Sequence, residues 1–403
     1  MASGRVIILL LFFLWLIQGL KNKKIIIAPK IQTLLIISFL FLNSFSLVIS
    51  QNLEWSSRKL LFLLSIFPLY FIISGIKFDN NKIKKITQYL VWGAGLAGLL
   101  GIFQFLLQFI FGLEKTFQLW AVLISPFLGN SFALAVLENP SWLVNIGGQN
   151  FFRATAFFPD PHMFSFYLNI AFFLALGLYF TKIKNRKSYL FLADIILLAN
   201  LLTFSRGGYL GLLAGITFIF CLLPSLRGGL RRGVKKLSIA GIILIGLIII
   251  IPNSIGKRLI SSFDLSEGSN QGRIETWKNS IEVVKNNPVL GVGLGGYSLE
   301  IKPSANYREP IYSHNIYLDI AAETGILNSL IWIGIILTAI FSFLRKRENI
   351  GDLKYIYIAM AAGLVAFSVH SLFETALFSA RVLPLVIILF ALSALNYEKN
   401  HQR

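Results

Sequence analysis

Long apolar runs dominate this sequence and leave few folds open to it. They can be drawn at about residues 6–20, 31–50, 60–76, 86–111, 162–181, 188–204, 208–224, 237–254, 316–344, 354–372 and 378–396. A bilayer's hydrocarbon core needs about 20 apolar residues of helix to cross it. A soluble core would not absorb so much apolar surface, since 56% of the 403 residues are hydrophobic and the mean hydropathy is +0.72. The pattern predicts an all-α polytopic membrane protein, one integral membrane domain over residues 1–403 with eleven spans. Residues 6–20 lack a small-residue cleavage site and run straight into Lys21, Lys23 and Lys24, so they read as a first span and not as a cleaved signal.

Charge orients the spans. Lys and Arg number 37 against 18 Asp and Glu. In a soluble chain that excess would raise nucleic acid as a partner; here it reads as topology, and no nucleic acid is expected. The basic residues cluster in alternate loops: Lys21, Lys23, Lys24 and Lys30; Lys77, Lys82, Lys84 and Lys85; Lys182, Lys184, Arg186 and Lys187; Arg227, Arg231, Arg232, Lys235 and Lys236; and Arg345, Lys346 and Arg347 before Lys354. These loops are therefore cytoplasmic, with the C-terminus inside and the N-terminus outside. Two long segments face outward, about 112–161 and 255–315. In the second, Ile274, Trp277, Ile281 and Val284 recur at helical spacing before Asn286-Asn287-Pro288. That predicts an amphipathic helix along the membrane surface. Long structured loops on one face are where function concentrates.

Several motifs carry no chemistry. Cys221 lies inside an apolar run, can form no intrachain disulfide, and reads as a small core residue. The stretch G-V-G-L-G-G, Gly291 to Gly296, formally matches a dinucleotide fingerprint but lacks the preceding strand; a flexible turn is expected. The four histidines, His162, His314, His370 and His401, are scattered with no metal-ligand spacing, so no metal and no cofactor are expected.

The polar residues near the outward loops say more. Arg206 sits in T-F-S-R-G-G-Y between two runs, Arg153 in F-F-R-A-T-A-F-F-P-D-P-H-M-F, and Arg273 at the start of the amphipathic helix. Any one reads equally well as an interfacial arginine snorkelling to headgroups. Three that can converge on one face suit a phosphate or diphosphate, which guanidinium groups bind bidentately. Thr203, Ser205 and the backbone of Gly207 and Gly208 would add donors to the same anion. In Y-S-H-N-I-Y-L-D-I-A-A-E-T-G-I-L, His314 has the chemistry of a general base at a membrane–water boundary. Asp319 and Glu323 share a helix face and are expected to orient and pair within the bundle. Glu323 and Glu374 should face the bundle interior or a wet cavity, where pairing with an arginine is the expected role. His370 and Glu374, four apart, close the outer end of the next span.

The stretches R-A-T-A-F-F-P-D-P-H-M-F-S-F-Y-L, T-F-S-R-G-G-Y-L-G-L, G-R-I-E-T-W with N-N-P-V-L-G-V-G-L-G-G-Y, and S-H-N-I-Y-L-D-I-A-A-E-T-G-I-L follow one another over roughly residues 150–330. In order and spacing the set resembles the O-antigen ligase and polymerase superfamily of bacterial membrane glycosyltransferases. The resemblance implies a GT-C-type helical bundle of about 11–12 transmembrane helices with a large outward loop. It implies a glycan carried on undecaprenyl diphosphate, moved to an acceptor hydroxyl on a glycan or lipid at the outer face of the bacterial plasma membrane, for cell-surface polysaccharide assembly. It implies neither metal nor nucleotide sugar. By motif, Arg206 and Arg273 resemble the diphosphate-binding arginines, joined by Arg153, and His314 the catalytic histidine. Ser205, Asn315, Glu323 and Asp160 fall in the same motifs as supporting residues. A protein hydroxyl as acceptor would make the chain a protein O-oligosaccharyltransferase. A lipid-linked oligosaccharide flippase is the reading from another class; the lack of an inverted repeat and the outward concentration of polar motifs weigh against it.

Overall fold

The computed structural model describes residues 2–25, 27–28, 31–76, 78–129, 136–137, 141–181, 183–222, 268–307, 310–347 and 351–395. The span expected at 237–254, the basic loop from Arg227 to Lys236 and the start of the second outward loop, 255–267, lie outside the described residues. So do Lys30, Lys77, Lys182 and His401.

The described residues are mostly helical. Among them, six helical segments are long and apolar enough to cross a membrane: Gly4–Lys21, Ile31–Ile49, Leu53–Gly75, Asn80–Phe111, Pro161–Phe180 and Ile326–Lys346. Three shorter apolar helices join them, Arg206–Leu222, Lys354–His370 and Leu383–Ala394. The chain divides into two compact units, one of residues 1–83, 274–345 and 375–403, the other of residues 84–273 and 346–374.

The first unit holds α1 (Ala2–Lys21), α2 (Ile31–Phe45), α3 (Leu53–Ile66) and α4 (Pro68–Gly75). Asn52 starts α3 by accepting the Trp55 backbone N–H at 3.1 Å, and Pro68, which has no N–H to give, breaks what would be one span into α3 and α4. α4 packs on α1 and on α15 (Leu383–Ala394), and α13 (Ile326–Lys346) completes the apolar face. Aromatic contacts tie them together: Phe39 stacks on Phe67 at 5.7 Å and lies tilted 5.1 Å from Trp332, which meets Phe390 edge-on at 5.8 Å. Where lipid supplies no hydrophobic drive between helices, short polar bonds add specificity. Ser393 Oγ donates to Gln32 Oε1 at 2.5 Å, and Ser342 Oγ to the Ser393 carbonyl at 2.6 Å.

The apolar run expected as one helix over 316–344 is two, α12 (Ile316–Thr324) and α13, parted at Gly325. Gly325 has φ +90°, and a Cβ there would run into the Val289 carbonyl. Ile326 N–H donates to the Pro288 carbonyl at 2.9 Å. Residues Gly291–Gly296 are a turn, as expected, but every one is buried. Gly291, Gly293 and Gly295 all have positive φ; a Cβ at Gly293 would sit 2.8 Å from Ser50 Cα. The glycines serve close packing between backbones rather than looseness. The helix predicted around Trp277 forms as α10 (Gly268–Asn286), followed by α11 (Tyr297–Ile301). Its buried side only partly follows the expected one: Val283 packs on Val292, Tyr297 and Ala322 with Val284 beside it, and Ile274 and Trp277 are half-buried, while Ile281 is exposed. Ser280 is buried too, its hydroxyl 2.6 Å from Tyr297 Oη, a polar contact that apolar periodicity does not register.

The second unit is built round α7 (Pro161–Phe180), whose apolar window is 83% buried. α8 (Arg186–Leu201) and α14 (Lys354–His370) pack against it, and α9 (Arg206–Leu222) packs on α14. Asp160 caps α7 by accepting the Met163 N–H at 2.9 Å, with Pro161 at the first helical position. α5 (Asn80–Phe111) has 32 residues, about 48 Å at ~1.5 Å per residue, more than a hydrocarbon core requires. The segment expected as the first outward loop is not all irregular. It contains α6 (Leu113–Leu128) and a hairpin of β1 (Leu143–Ile146) and β2 (Gln149–Phe152), paired Leu143 to Phe152. The hairpin turn is Gly147-Gly148, both at positive φ, as a two-residue primed turn demands. Phe117, Trp120, Trp142 and Phe152 bury against one another beneath it. Cys221, expected in the core, is exposed on α9 near Phe220. In a membrane helix an apolar residue faces lipid as readily as protein, so its hydropathy does not fix its side.

Candidate functional site

The described residues gather the quoted motifs into two polar clusters, one in each unit. In the second unit two glutamines inside α5 organise R-A-T-A. Gln104 Oε1 accepts the Thr155 and Ala156 N–H groups at 2.8 and 3.0 Å, while its Nε2 donates to the Arg153 carbonyl at 2.9 Å. One turn on, Gln108 Oε1 accepts the Phe152 N–H at 2.9 Å. Both are buried, and neither was singled out in the sequence. The signal was there: two glutamines four apart in an otherwise apolar span share a face and must be satisfied internally.

Arg153, read as a diphosphate ligand, is largely spent on the backbone. Its Nε donates to the Thr203 carbonyl at 2.7 Å and a terminal nitrogen to the Ser141 carbonyl at 3.3 Å; the other lies 3.5 Å from His162 Nε2. It fastens β2 to the T-F-S-R turn. The extra anion donors expected there are also engaged. Thr203 Oγ1 donates to the Asn200 carbonyl at 2.6 Å, and Ser205 Oγ lies 2.9 Å from His162 Nδ1 and 3.4 Å from His370 Nε2. The Gly208 N–H reaches that same hydroxyl at 3.2 Å.

Glycine fixes this turn for packing reasons. A Cβ at Gly207 would meet His370 Cδ2 at 2.8 Å, and one at Gly211 the Ala366 carbonyl at 2.6 Å. The small residues at four-residue spacing let α9 lie directly on α14. A buried chain continues the network: Ser165 Oγ donates to Asn200 Oδ1 (2.6 Å), Asn200 Nδ2 to Asn169 Oδ1 (2.8 Å) and Asn169 Nδ2 to the Gly208 carbonyl (2.9 Å). Arg206, the first residue of α9, is thereby held on a rigid element and buried to 4% exposure. Arg273 lies 3.9 Å from the Glu374 carboxylate, the arginine pairing expected for that residue. Burial, with the Glu374 carboxylate adding to it, pushes the Asp160 carboxyl up to about 6.

The first unit holds the histidine motif. Asn315 is the N-cap of α12, accepting the Tyr317 and Leu318 N–H groups at 3.0 and 3.2 Å. His314 therefore precedes the helix, half-buried, with φ +52°. Asp319 is held by hydroxyl and backbone donors. Its Oδ1 accepts both the N–H and the hydroxyl of Ser313, each at 2.7 Å, and its Oδ2 accepts the Thr375 hydroxyl. Glu323 pairs with lysine instead, 2.6 Å from Lys59 Nζ, and that ammonium also lies 4.7 Å from the Phe378 ring centroid. Lys59 sits on α3, in the first part of the Leu53–Gly75 span, and sequence reading passed over it. A buried lysine in an apolar helix is costly unless paired, which was the available signal.

Of the five non-glycine residues with positive φ among the described residues, three fall in the motifs and two, Lys23 and Asn185, do not. Ala156 (φ +47°) belongs to R-A-T-A, Phe204 (φ +49°) to T-F-S-R and His314 (φ +52°) to Y-S-H-N. The left-handed region costs an L-residue roughly 1–2 kcal/mol and persists where surrounding contacts over-determine it, often at functional sites. Of the predicted site residues, Arg153, Asp160, Ser205, Arg206 and Arg273 lie in the second unit; His314, Asn315 and Glu323 lie in the first. Among the described residues no group of His, Cys, Asp and Glu is arranged to hold a metal ion.

Fold and clusters define an all-α polytopic membrane protein with built, buried polar sites. Residues 189–333 match the O-antigen ligase family, a stretch that takes in Arg206, Arg273 and His314. A ComP-specific O-oligosaccharyltransferase of Acinetobacter baylyi is 24% identical over 394 residues, covering 86% of this chain and 69% of the relative. Together these matches support the chain's place in the O-antigen ligase superfamily and a ligase-type, glycosyl-transferring activity.

Proposed function

We propose that this protein moves a glycan from an undecaprenyl-diphosphate-linked donor to an acceptor hydroxyl at the outer face of the bacterial plasma membrane. The observation that carries the reading is His314: a half-buried imidazole on left-handed backbone between hydrogen-bonded neighbours, inside the segment that matches the O-antigen ligase family. The acceptor oxygen attacks the anomeric carbon as His314 takes its proton. The bond from that carbon to the diphosphate oxygen breaks, and the lipid diphosphate leaves with the electron pair. Arg206 and Arg273 neutralise the charge that develops on it. Arg273 is held near Glu374 beforehand, and exchanging that carboxylate for a diphosphate keeps the guanidinium paired throughout. Arg153 and Asp160 shape the arginine turn and the start of α7. The reaction draws its free energy from the activated diphosphate bond and uses neither metal nor nucleotide sugar.

The acceptor has two supported identities. The family match favours a glycan or lipid hydroxyl, whereas the relative from Acinetobacter baylyi, by its name specific for ComP, favours a protein hydroxyl. The roles are tested by substitution in a glycan-transfer assay. His314→Ala and Arg206→Ala are each expected to lower turnover by roughly 100-fold or more at unchanged protein level. Near-normal turnover in both would refute the assignment.

A further inference from the structure

The hydrogen bonds around His314 are arranged to grip its neighbours. Ser313 Oγ lies 2.7 Å from Asp319 Oδ1 and 2.9 Å from the Asn315 carbonyl, so its one proton, shared between the two acceptors, draws together the residues on either side of His314. His314 lies between them in left-handed backbone, at φ +52°. Asn315 is fixed from the helix side, by the two N–H groups it caps and by the Asp319 N–H, which donates to its carbonyl at 2.9 Å. Ser313 has no helix to hold it. What holds it is Asp319, through two bonds to one carboxylate oxygen, while the other oxygen is anchored by Thr375. Ser313 and Asp319 are both buried, at 0% and 6% exposure, so water does not replace these bonds. Asp319 is not needed to cap α12, because Asn315 does that with its own side chain.

We infer that Asp319 is a positioning residue for His314: its carboxylate, braced by Thr375, clamps Ser313 and so sets the direction in which the His314 imidazole is presented. The inference rests on the catalytic reading of His314. Asp319 touches neither donor nor acceptor in this account, and its effect passes through the histidine. Misplacement of a reacting group by about 1 Å can cost on the order of 100-fold in rate without weakening substrate binding.

Steady-state glycan transfer on purified variants, read with hydrogen exchange of the peptide around residues 310–318, tests it. Asp319→Ala should lower kcat roughly 10- to 100-fold, leave KM for the lipid-linked donor within about twofold, and remove amide protection in that peptide alone. Asp319→Asn keeps an oxygen for both Ser313 donors, and its amide can donate to the Thr375 hydroxyl. It should recover kcat to within about fivefold of the wild type. Thr375→Val, which removes only the brace, should cost about three- to tenfold in kcat and decides the matter where Asp319→Ala does not fold. Wild-type kcat in Asp319→Ala or Thr375→Val, with His314→Ala inactive, overturns the positioning role and leaves the catalytic reading intact. Raised KM, or protection lost across several helices, makes Asp319 a general structural residue and also overturns it. Full activity in His314→Ala defeats the catalytic reading itself.

Discussion

The residue that organises the first unit's polar cluster from below is Lys59. It is buried in the first part of the Leu53–Gly75 span, yet it meets a carboxylate at 2.6 Å and an aromatic face at 4.7 Å, so its charge is answered on two sides. Breaking such a pair leaves one uncompensated charge, and Lys59→Met should destabilise the protein by about 3–5 kcal/mol. Removing both charges, Lys59→Met with Glu323→Leu, should restore most of that loss. Thermal unfolding in detergent separates the cases; a double variant no more stable than the single one would show that the pair's charge is not what the site depends on. Glu323 was expected to meet an arginine, and periodicity had no means of choosing lysine, because the partner sits 264 positions away in sequence.

At the scale of elements, glycines set how closely helices and turns approach. Gly211 places α9 against the α14 backbone, and Gly325 brings the α12–α13 break against Val289. Gly211→Leu would drive a side chain into the Ala366 carbonyl and part α9 from α14. It should cost at least ~2 kcal/mol, the scale of overpacking a tight core, and lower transfer by disturbing the turn that carries Arg206. Leu at exposed Gly112, whose Cβ would meet nothing within 4 Å, is the poor control because its φ is +83°; Gly4, open and without that restriction, is the better one. Equal melting temperatures for Gly211→Leu and Gly4→Leu would contradict this account of the turn.

The same glycines mark where sequence reading reached its limit. Helix spans were legible because a bilayer imposes their length, and α7 begins within a residue of the expected start, with Asp160-Pro161 as its cap. The split at Gly325 was not, since both halves are apolar and only the φ of +90° separates them. The Gly147-Gly148 hairpin was missed although its turn residues were visible, because the flanking strands are four residues each and show little alternation. The buried G-V-G-L-G-G turn was read as loose because glycine has the same signature whether a chain needs freedom or close approach.

For the whole molecule, the sequence pointed to an all-α membrane protein of the O-antigen ligase kind, and the family match over residues 189–333 agrees. The motifs located Arg206, Arg273 and His314; what they withheld was the supporting cast. Gln104, Gln108 and Lys59 meet partners distant in sequence, as Asp319 does at Thr375, and a local pattern flags a buried polar group without naming its partner. The central claim is that this chain makes a new glycosidic bond at the expense of a lipid diphosphate. Incubating the purified protein with a defined lipid-linked oligosaccharide, with and without glycan, lipid and protein acceptors, and weighing the products by mass spectrometry tests it most directly. The account predicts a glycosylated acceptor and one equivalent of released lipid diphosphate, both absent with His314→Ala. Intact donor in every reaction, together with its transport across proteoliposomes that contain the protein, would contradict it.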